Sequence, residues 1–302
     1  MKGAFSVLLL CFLLASCNEE KTVKAEKPVE AEKTIQERAE AGDADAQYNM
    51  GMMYDNGDEV PQDKDEAMKW MRKAAEKGNA KAQFRLSKMY AKGQGVPQDK
   101  NEAVKWLRKA AEKGEAEAQY ILASMYVNGD GIRVPQDKDE AMKWMRKAAE
   151  KGNAKAQFRL SKMYAKGQGV PQDKNEAVKW LRKAAEKGEA EAQYILASMY
   201  VNGDGIRVPQ DKDEAMKWMR KAAEQEYAQS QYNLGWMYEK GNGVPQDYAK
   251  AYMFYNLAAA QGHKNAEKNR EQIGEAMPQE QIAEGQKLTR EWVERKAKEK
   301  SE

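Results

Sequence analysis

The sequence predicts an all-α solenoid of antiparallel helix pairs, and three observations predict it. A unit of 36 residues, clearest at 80–115, recurs along the chain, with units in the same phase beginning near Ala44, Ala80, Ala116, Ala154, Ala190 and Ala228. The block 64–137 returns residue for residue as 138–211, so a plain unit and a unit carrying an insertion were copied together as a pair. Each unit holds two apolar stripes of helical period separated by Gly, Pro and Asp. Such units bury their apolar faces only against their neighbours, so chain length here measures reach rather than core depth.

Taken in order, residues 1–16 read as a lipoprotein signal peptide. Lys2 precedes a short apolar run, 4–15, which has the length of a signal-peptide core and falls short of the roughly 20 residues that span a bilayer. The run ends Leu14-Ala15-Ser16-Cys17, which resembles the bacterial lipoprotein signal: a small residue before a cysteine that receives a diacylglyceryl group and becomes the mature N-terminus. Cys17 is the expected lipidation site; an ordinary signal peptide with an incidental cysteine is the alternative. By the sorting preference of such lipoproteins, Asn18 after the cysteine points to the outer membrane and a periplasm-facing chain in the cell envelope. The other cysteine, Cys11, lies inside the apolar run, so residues 21–302 hold none and form no disulfide.

Residues 17–33 comprise the lipidated Cys and a disordered tether. The stretch NEEKTVKAEKPVEAEK has almost no large apolar residue and cannot bury enough surface to order itself. Residues 34–43 form an N-terminal helical half-unit, TIQERAEA closed by Gly42. Six units then fill 44–263. In the 80–115 unit the first helix, 81–92, places Ala82, Leu86, Met89 and Tyr90 on one stripe, and Gly93 stops it. Pro97 breaks the loop, and Asp99 with Glu102 makes a capping-box pattern for the second helix, 100–113, whose Ala103, Trp106, Leu107, Ala110 and Ala111 share one side. Connections of about 4 to 6 residues impose antiparallel neighbours. Residues 264–302 form a C-terminal helical cap, broken at Pro278, in which Ile282, Leu288, Trp292 and Val293 close the last unit and 295–302 fray.

These residues carry a resemblance. Ala82, Leu86, Tyr90, Gly93, Gly95-Val96, Asp99, Ala103, Trp106, Ala110-Ala111 and Gly114 resemble the Sel1-like repeat. The resemblance implies a right-handed superhelix of helix pairs, related to tetratricopeptide arrays, that holds other proteins or peptides. The glycine usual after the Leu is present as Gly51 and Gly235 and is replaced by Ser87, Ala123, Ser161 or Ala197 elsewhere, and Glu59 replaces the second loop glycine of the first unit.

Composition excludes a nucleic-acid binder: 51 Lys and Arg stand against 48 Asp and Glu, a net charge of +3 with no concentrated basic face. Catalytic groups are scarce. His263 is the one histidine, beside Gly262 at a helix end, where a capping or solvated role is expected, and no metal or cofactor is implied. The Gly93-Gln94-Gly95 and Gly129-Asp130-Gly131 pieces lie between helices and are turns, and the pairs Asp63/Asp65 and Asp137/Asp139 read as helix caps. An enzyme acting on cell-wall or β-lactam substrates, as described for cysteine-rich relatives of this repeat, is the rival reading, but the repeats here hold no cysteine and no Ser-x-x-Lys with supporting partners. A structural spacer is the second rival.

The expected function is a non-enzymatic protein-interaction scaffold, lipid-anchored in the envelope, that takes a protein or peptide partner on the face lined by the first helices. The row beside the buried stripe is basic in the plain units, Lys81, Arg85, Lys88 and Lys92, copied as Lys155, Arg159, Lys162 and Lys166. Between them it reads Glu117, Ile121, Ser124 and Asn128. Such bands suit an extended partner with spaced acidic groups; a plain solvated helix face is the alternative. Trp236 in the last unit is a candidate contact, while Phe254 and Tyr255 are expected to pack against the cap. The longer loops 129–137 and 203–211, with Ile-Arg-Val, offer a second contact row or a tolerated insertion.

Overall fold

The computed structural model describes residues 34–129, 133–203 and 207–301. The expected signal peptide, 1–16, and the expected tether, 17–33, with Cys17, lie outside the described residues. A short α1 (Ile35–Glu40) precedes six antiparallel pairs: α2 (Ala44–Asn56) with α3 (Lys64–Glu76), α4 (Ala80–Lys92) with α5 (Lys100–Glu112), α6 (Ala116–Asn128) with α7 (Lys138–Glu150), α8 (Ala154–Lys166) with α9 (Lys174–Glu186), α10 (Ala190–Asn202) with α11 (Lys212–Glu224), and α12 (Ala228–Lys240) with α13 (Tyr248–Ala260). Then α14 (Lys264–Ala276) and α15 (Gln279–Ser301) close the array. Successive helices from α1 to α14 pack on one another, and α15 packs back on α13, which makes the all-α solenoid.

The second helices start where an aspartate takes the free amides of the first turn. The Asp99 carboxylate accepts from the N–H groups of Asn101 and Glu102 at 2.8 and 3.1 Å, and Asp63, Asp137, Asp173 and Asp211 repeat this. The expected capping box at Asp99 is only half formed. The Asp99 amide already donates to the Tyr90 carbonyl at 3.0 Å, so Glu102 has no donor to reach and takes the Lys105 ammonium at 2.7 Å instead. A complete box forms at α1, where Thr34 and Glu37 exchange both bonds.

The core is a line of small and medium side chains. Ala82, Leu86 and Met89 are buried as expected, whereas Tyr90 is half-buried and its hydroxyl accepts from Arg72 on the second helix of the preceding unit. Trp106 and its counterparts Trp144, Trp180 and Trp218 fill the wider gaps, each with a lysine one turn on (Lys109, Lys147, Lys183, Lys221) held 4.1 to 4.5 Å from the ring centre.

Stacking is fixed by a buried glutamine in every unit. Gln83 donates to the Ala75 carbonyl at 3.0 Å, and Gln47, Gln119, Gln157, Gln193 and Gln231 make the same bond to the end of the preceding second helix. The glutamine Oε1 atoms differ. Those of Gln193 and Gln231 accept from Gln225 and Gln261, whereas the buried Oε1 atoms of Gln47, Gln83, Gln119 and Gln157 have no hydrogen-bond partner among the described residues. Lys151 occupies the position of Gln225 relative to Gln119. Lys151→Gln is therefore expected to stabilise the protein by about 1 kcal/mol, read as a raised denaturant midpoint.

Two sequence expectations are corrected, and the insertion loops, read as a second contact row or a tolerated insertion, also add to the core: Val134 and Val208 are fully buried, and the carbonyls of Arg133 and Arg207 accept from Arg108 and Arg182. Residues 295–301 are helical rather than frayed, since α15 runs to Ser301. Arg295 and Lys296 reach Glu224 at 3.0 and 3.1 Å and Lys300 reaches Glu226 at 2.6 Å, placing cations at the C-terminus of α11 where the helix dipole also favours them. Val293 takes no part in the closure and is exposed, while Ile282, Leu288 and Trp292 pack against the core.

Candidate partner-binding surface

The first helices set the row of candidate contacts, and the structure divides it. Lys81, Lys88, Lys155 and Arg159 are exposed. Arg85 is half-buried and donates to the buried Asp55 carboxylate, which the Lys64 ammonium also reaches at 2.8 Å. Its copy Arg159 has no such acid opposite, because Asp55 occurs in the first unit and Val127 stands at the matching position. The Lys88 and Lys162 ammoniums sit 5.0 and 4.9 Å from the ring centres of Phe84 and Phe158. Lys162 also pairs with Glu191 at 3.3 Å.

These lysines border two grooves that the sequence reading of one helix row missed. The first, about 660 Å³, lies among α4, α5 and α6. Its floor is Phe84, Val104, Leu107, Tyr120 and Ile121, with Lys88 and Lys100 at its border. The second, about 670 Å³, repeats it among α8, α9 and α10. The signal was present in Val104, where the next second helix carries Met142, and in Ser124, where the next first helix carries Lys162. Seeing it requires three helices to be read together.

Trp236, also an expected contact, is exposed, 40% of its surface being open. It lines a third cavity, about 610 Å³, with Tyr232, Tyr248, Asn269, Gln272 and Met277, between the last unit and the cap. Phe254 and Tyr255 are buried beneath. The Tyr255 hydroxyl donates to Glu239 at 2.7 Å and accepts from Asn269 at 3.2 Å; burial first, then the Glu239 carboxylate, hold its ionisation well above the usual phenol range. His263 caps α14 by accepting the Ala266 N–H at 3.2 Å, contacts Gln229 at 3.1 Å and stacks on Tyr232 at 4.5 Å. Among the described residues no cluster of three or more His, Cys, Asp or Glu is placed to hold a metal ion, and no helix is long and apolar enough to cross a membrane.

The repeat period and the helix pairs agree with one family. The Sel1 repeat matches the chain six times, over residues 44–79, 80–115, 116–153, 154–189, 190–227 and 228–263. The chain belongs to the Sel1 repeat family. Among solved structures, this Sel1 repeat protein is similar to a protective antigen present in uropathogenic Escherichia coli strains (35% identity, TM-score 0.69, covering 86% of this chain and 56% of the antigen). The chain thus spans little more than half the antigen's length. It is also similar to a Sel1 repeat protein from Oxalobacter formigenes (36% identity, TM-score 0.64, covering 73% of this chain and 89% of that one). No curated protein matches it. Sel1 repeat proteins are in general protein-interaction scaffolds.

Proposed function

We propose that this Sel1 repeat protein is a non-enzymatic adaptor of the cell envelope, anchored by lipid on Cys17 to the outer membrane and facing the periplasm, that takes a protein or peptide partner on the face lined by its first helices. The observation that carries the reading is the pairing of open, apolar-floored grooves with a lysine border: Lys88 and Lys100 line one groove, and no acidic side chain among the described residues lines it. Apolar surface left open beside like charges gains by covering with a partner that brings apolar anchors and carboxylates. Trp236 extends the face into the last unit as an exposed aromatic contact. Lys81, Arg85, Lys155 and Arg159 continue the basic row, with Arg85 held in place by Asp55.

The experiment is site-specific photo-crosslinking in envelope preparations. Crosslinkers at positions 88, 162 and 236 are expected to trap a partner, whereas the exposed second-helix positions 105 and 179, whose lysines pair with Glu102 and Glu176, are expected to trap none. Equal yields from both sets, or turnover of a chromogenic β-lactam abolished by mutating a single residue, would overturn the reading. Cys17→Ser is expected to release the chain from membranes; retention there would remove the anchor.

A further inference from the structure

The two grooves are the same groove twice. Phe84, Lys88, Lys100, Val104, Ile121 and Ser124 of the first recur as Phe158, Lys162, Lys174, Val178, Ile195 and Ser198 of the second, and the remaining lining residues of the first are matched in the same way. The volumes agree, at about 660 and 670 Å³. Each opens because short side chains meet at that junction. At the intervening junction of α6, α7 and α8 the corresponding positions hold Met142 for Val104, Arg159 for Ile121 and Lys162 for Ser124, all longer. Alternation within the copied pair therefore spaces the grooves one pair apart.

Their chemistry selects an occupant. The floor is aromatic and aliphatic, and the charged lining residues are lysines, Lys88 and Lys100 in one and Lys162, Lys166 and Lys174 in the other. Among the described residues neither lining includes an acid. An apolar side chain would fill the floor and flanking carboxylates would meet the ammoniums. The surroundings differ at one point. Glu191 takes Lys162 at 3.3 Å beside the second groove, whereas its counterpart Glu117 accepts from Asn153 at 2.7 Å, and the residue in the place of Asn153 is Tyr227, where the copied block has ended.

We infer that the chain is bivalent for one motif: each groove takes an acidic peptide segment with an apolar anchor, and one chain holds two such segments. The inference rests on the proposed partner face and adds its ligand chemistry and valency. A partner displaying the motif twice gains avidity that a single motif lacks.

The test is calorimetric titration of the mature chain with a capped peptide DELFED, and with KRLFRK as its charge-reversed counterpart. Two sites are expected for the acidic peptide, with at least about tenfold weaker binding of the basic one. Ser124→Arg or Ser198→Arg, which plug one groove each, are expected to halve the stoichiometry and leave the remaining site's Kd unchanged; together they abolish binding. Should either plug disturb folding, Lys100→Glu and Lys174→Glu keep the test open, because both lysines are exposed and begin a helix, where an acid is favoured. Each of these is expected to weaken one site by about tenfold. A single site, stoichiometry unmoved by either set of variants, equal affinity for the basic peptide, or no saturable heat overturns the inference. Partner crosslinks at positions 88 and 162 that persist in that event leave the adaptor reading standing, whereas their absence removes both.

Discussion

Gly235→Ala is expected to destabilise the protein by about 2–3 kcal/mol, although alanine is the better helix former by about 1 kcal/mol at an unstrained site. A Cβ at Gly235 would stand 2.6 and 2.7 Å from two carbons of the Tyr255 ring. That ring has nowhere to go: it is fully buried, its hydroxyl is held by Glu239 and Asn269, and Tyr232 lies 5.8 Å away, centre to centre. Gly51 in the first unit is the control. Its Cβ would meet the Cε, Cγ and Sδ atoms of Met71 at 2.9 to 3.1 Å, but an unbranched thioether adjusts where a held ring cannot, so Gly51→Ala is expected to cost less than Gly235→Ala. Urea unfolding of both variants decides the matter, and Tyr255→Met supplies the cycle: Ala197 and Met219 already occupy the matching positions in the preceding unit, so the Gly235→Ala penalty should vanish in that background. A penalty that persists in the Tyr255→Met background would show that helix α12, and not the ring, resists the methyl group.

That pairing marks where the sequence was legible and where it was not. The fold was readable because each unit repeats its small contacts, such as Ala82, Ala110 and Ala111, and its stops, such as Gly93 and Asp99, at one period. Reading one unit then reads the array. The glycine of Gly51 and Gly235, however, looked like a dispensable member of a Gly, Ser or Ala set. Its meaning lies in the opposite helix, where Tyr255 stands in the place of Leu107. The same limit hid the buried glutamines: Gln47, Gln83 and Gln119 follow an Ala at a fixed place, but a polar residue reads as solvated until the carbonyl it satisfies is seen. Arg85 and Arg159 show it most plainly. Identical local sequence gives one arginine a buried acid and the other none, because Asp55 precedes the copied block. Groove geometry depends in the same way on residues from three helices, so a row along one helix found Lys88 and Lys162 but not the floor beside them.

Trp292→Ala is expected to cost about 3 kcal/mol, and to do so at one end of the molecule only. Trp292 meets Phe254 edge-on at 5.8 Å, Phe254 stacks on Tyr238 at 5.8 Å, and the Arg295 guanidinium covers the Trp292 ring at 4.7 Å. The helix that carries it lies close to α13: a Cβ at Gly285 would stand 2.9 Å from the Ala249 carbonyl oxygen. Removing the indole therefore uncovers Phe254 on a helix that has no further repeat to cover it. The ion pairs of Arg295 with Glu224 are about half exposed, so Arg295→Ala is expected to cost less than about 1 kcal/mol. Hydrogen exchange separates the two effects and locates them. In Trp292→Ala the amides of α12 and α13 should lose protection while those of α4 and α5 keep theirs, since each unit touches only its neighbours and a weakened end propagates inward with diminishing effect. Uniform loss along the array would mean that the six units unfold as one and that the cap stabilises all of them, in which case apolar closure by α15, rather than the repeat interfaces, would set the stability of the whole solenoid.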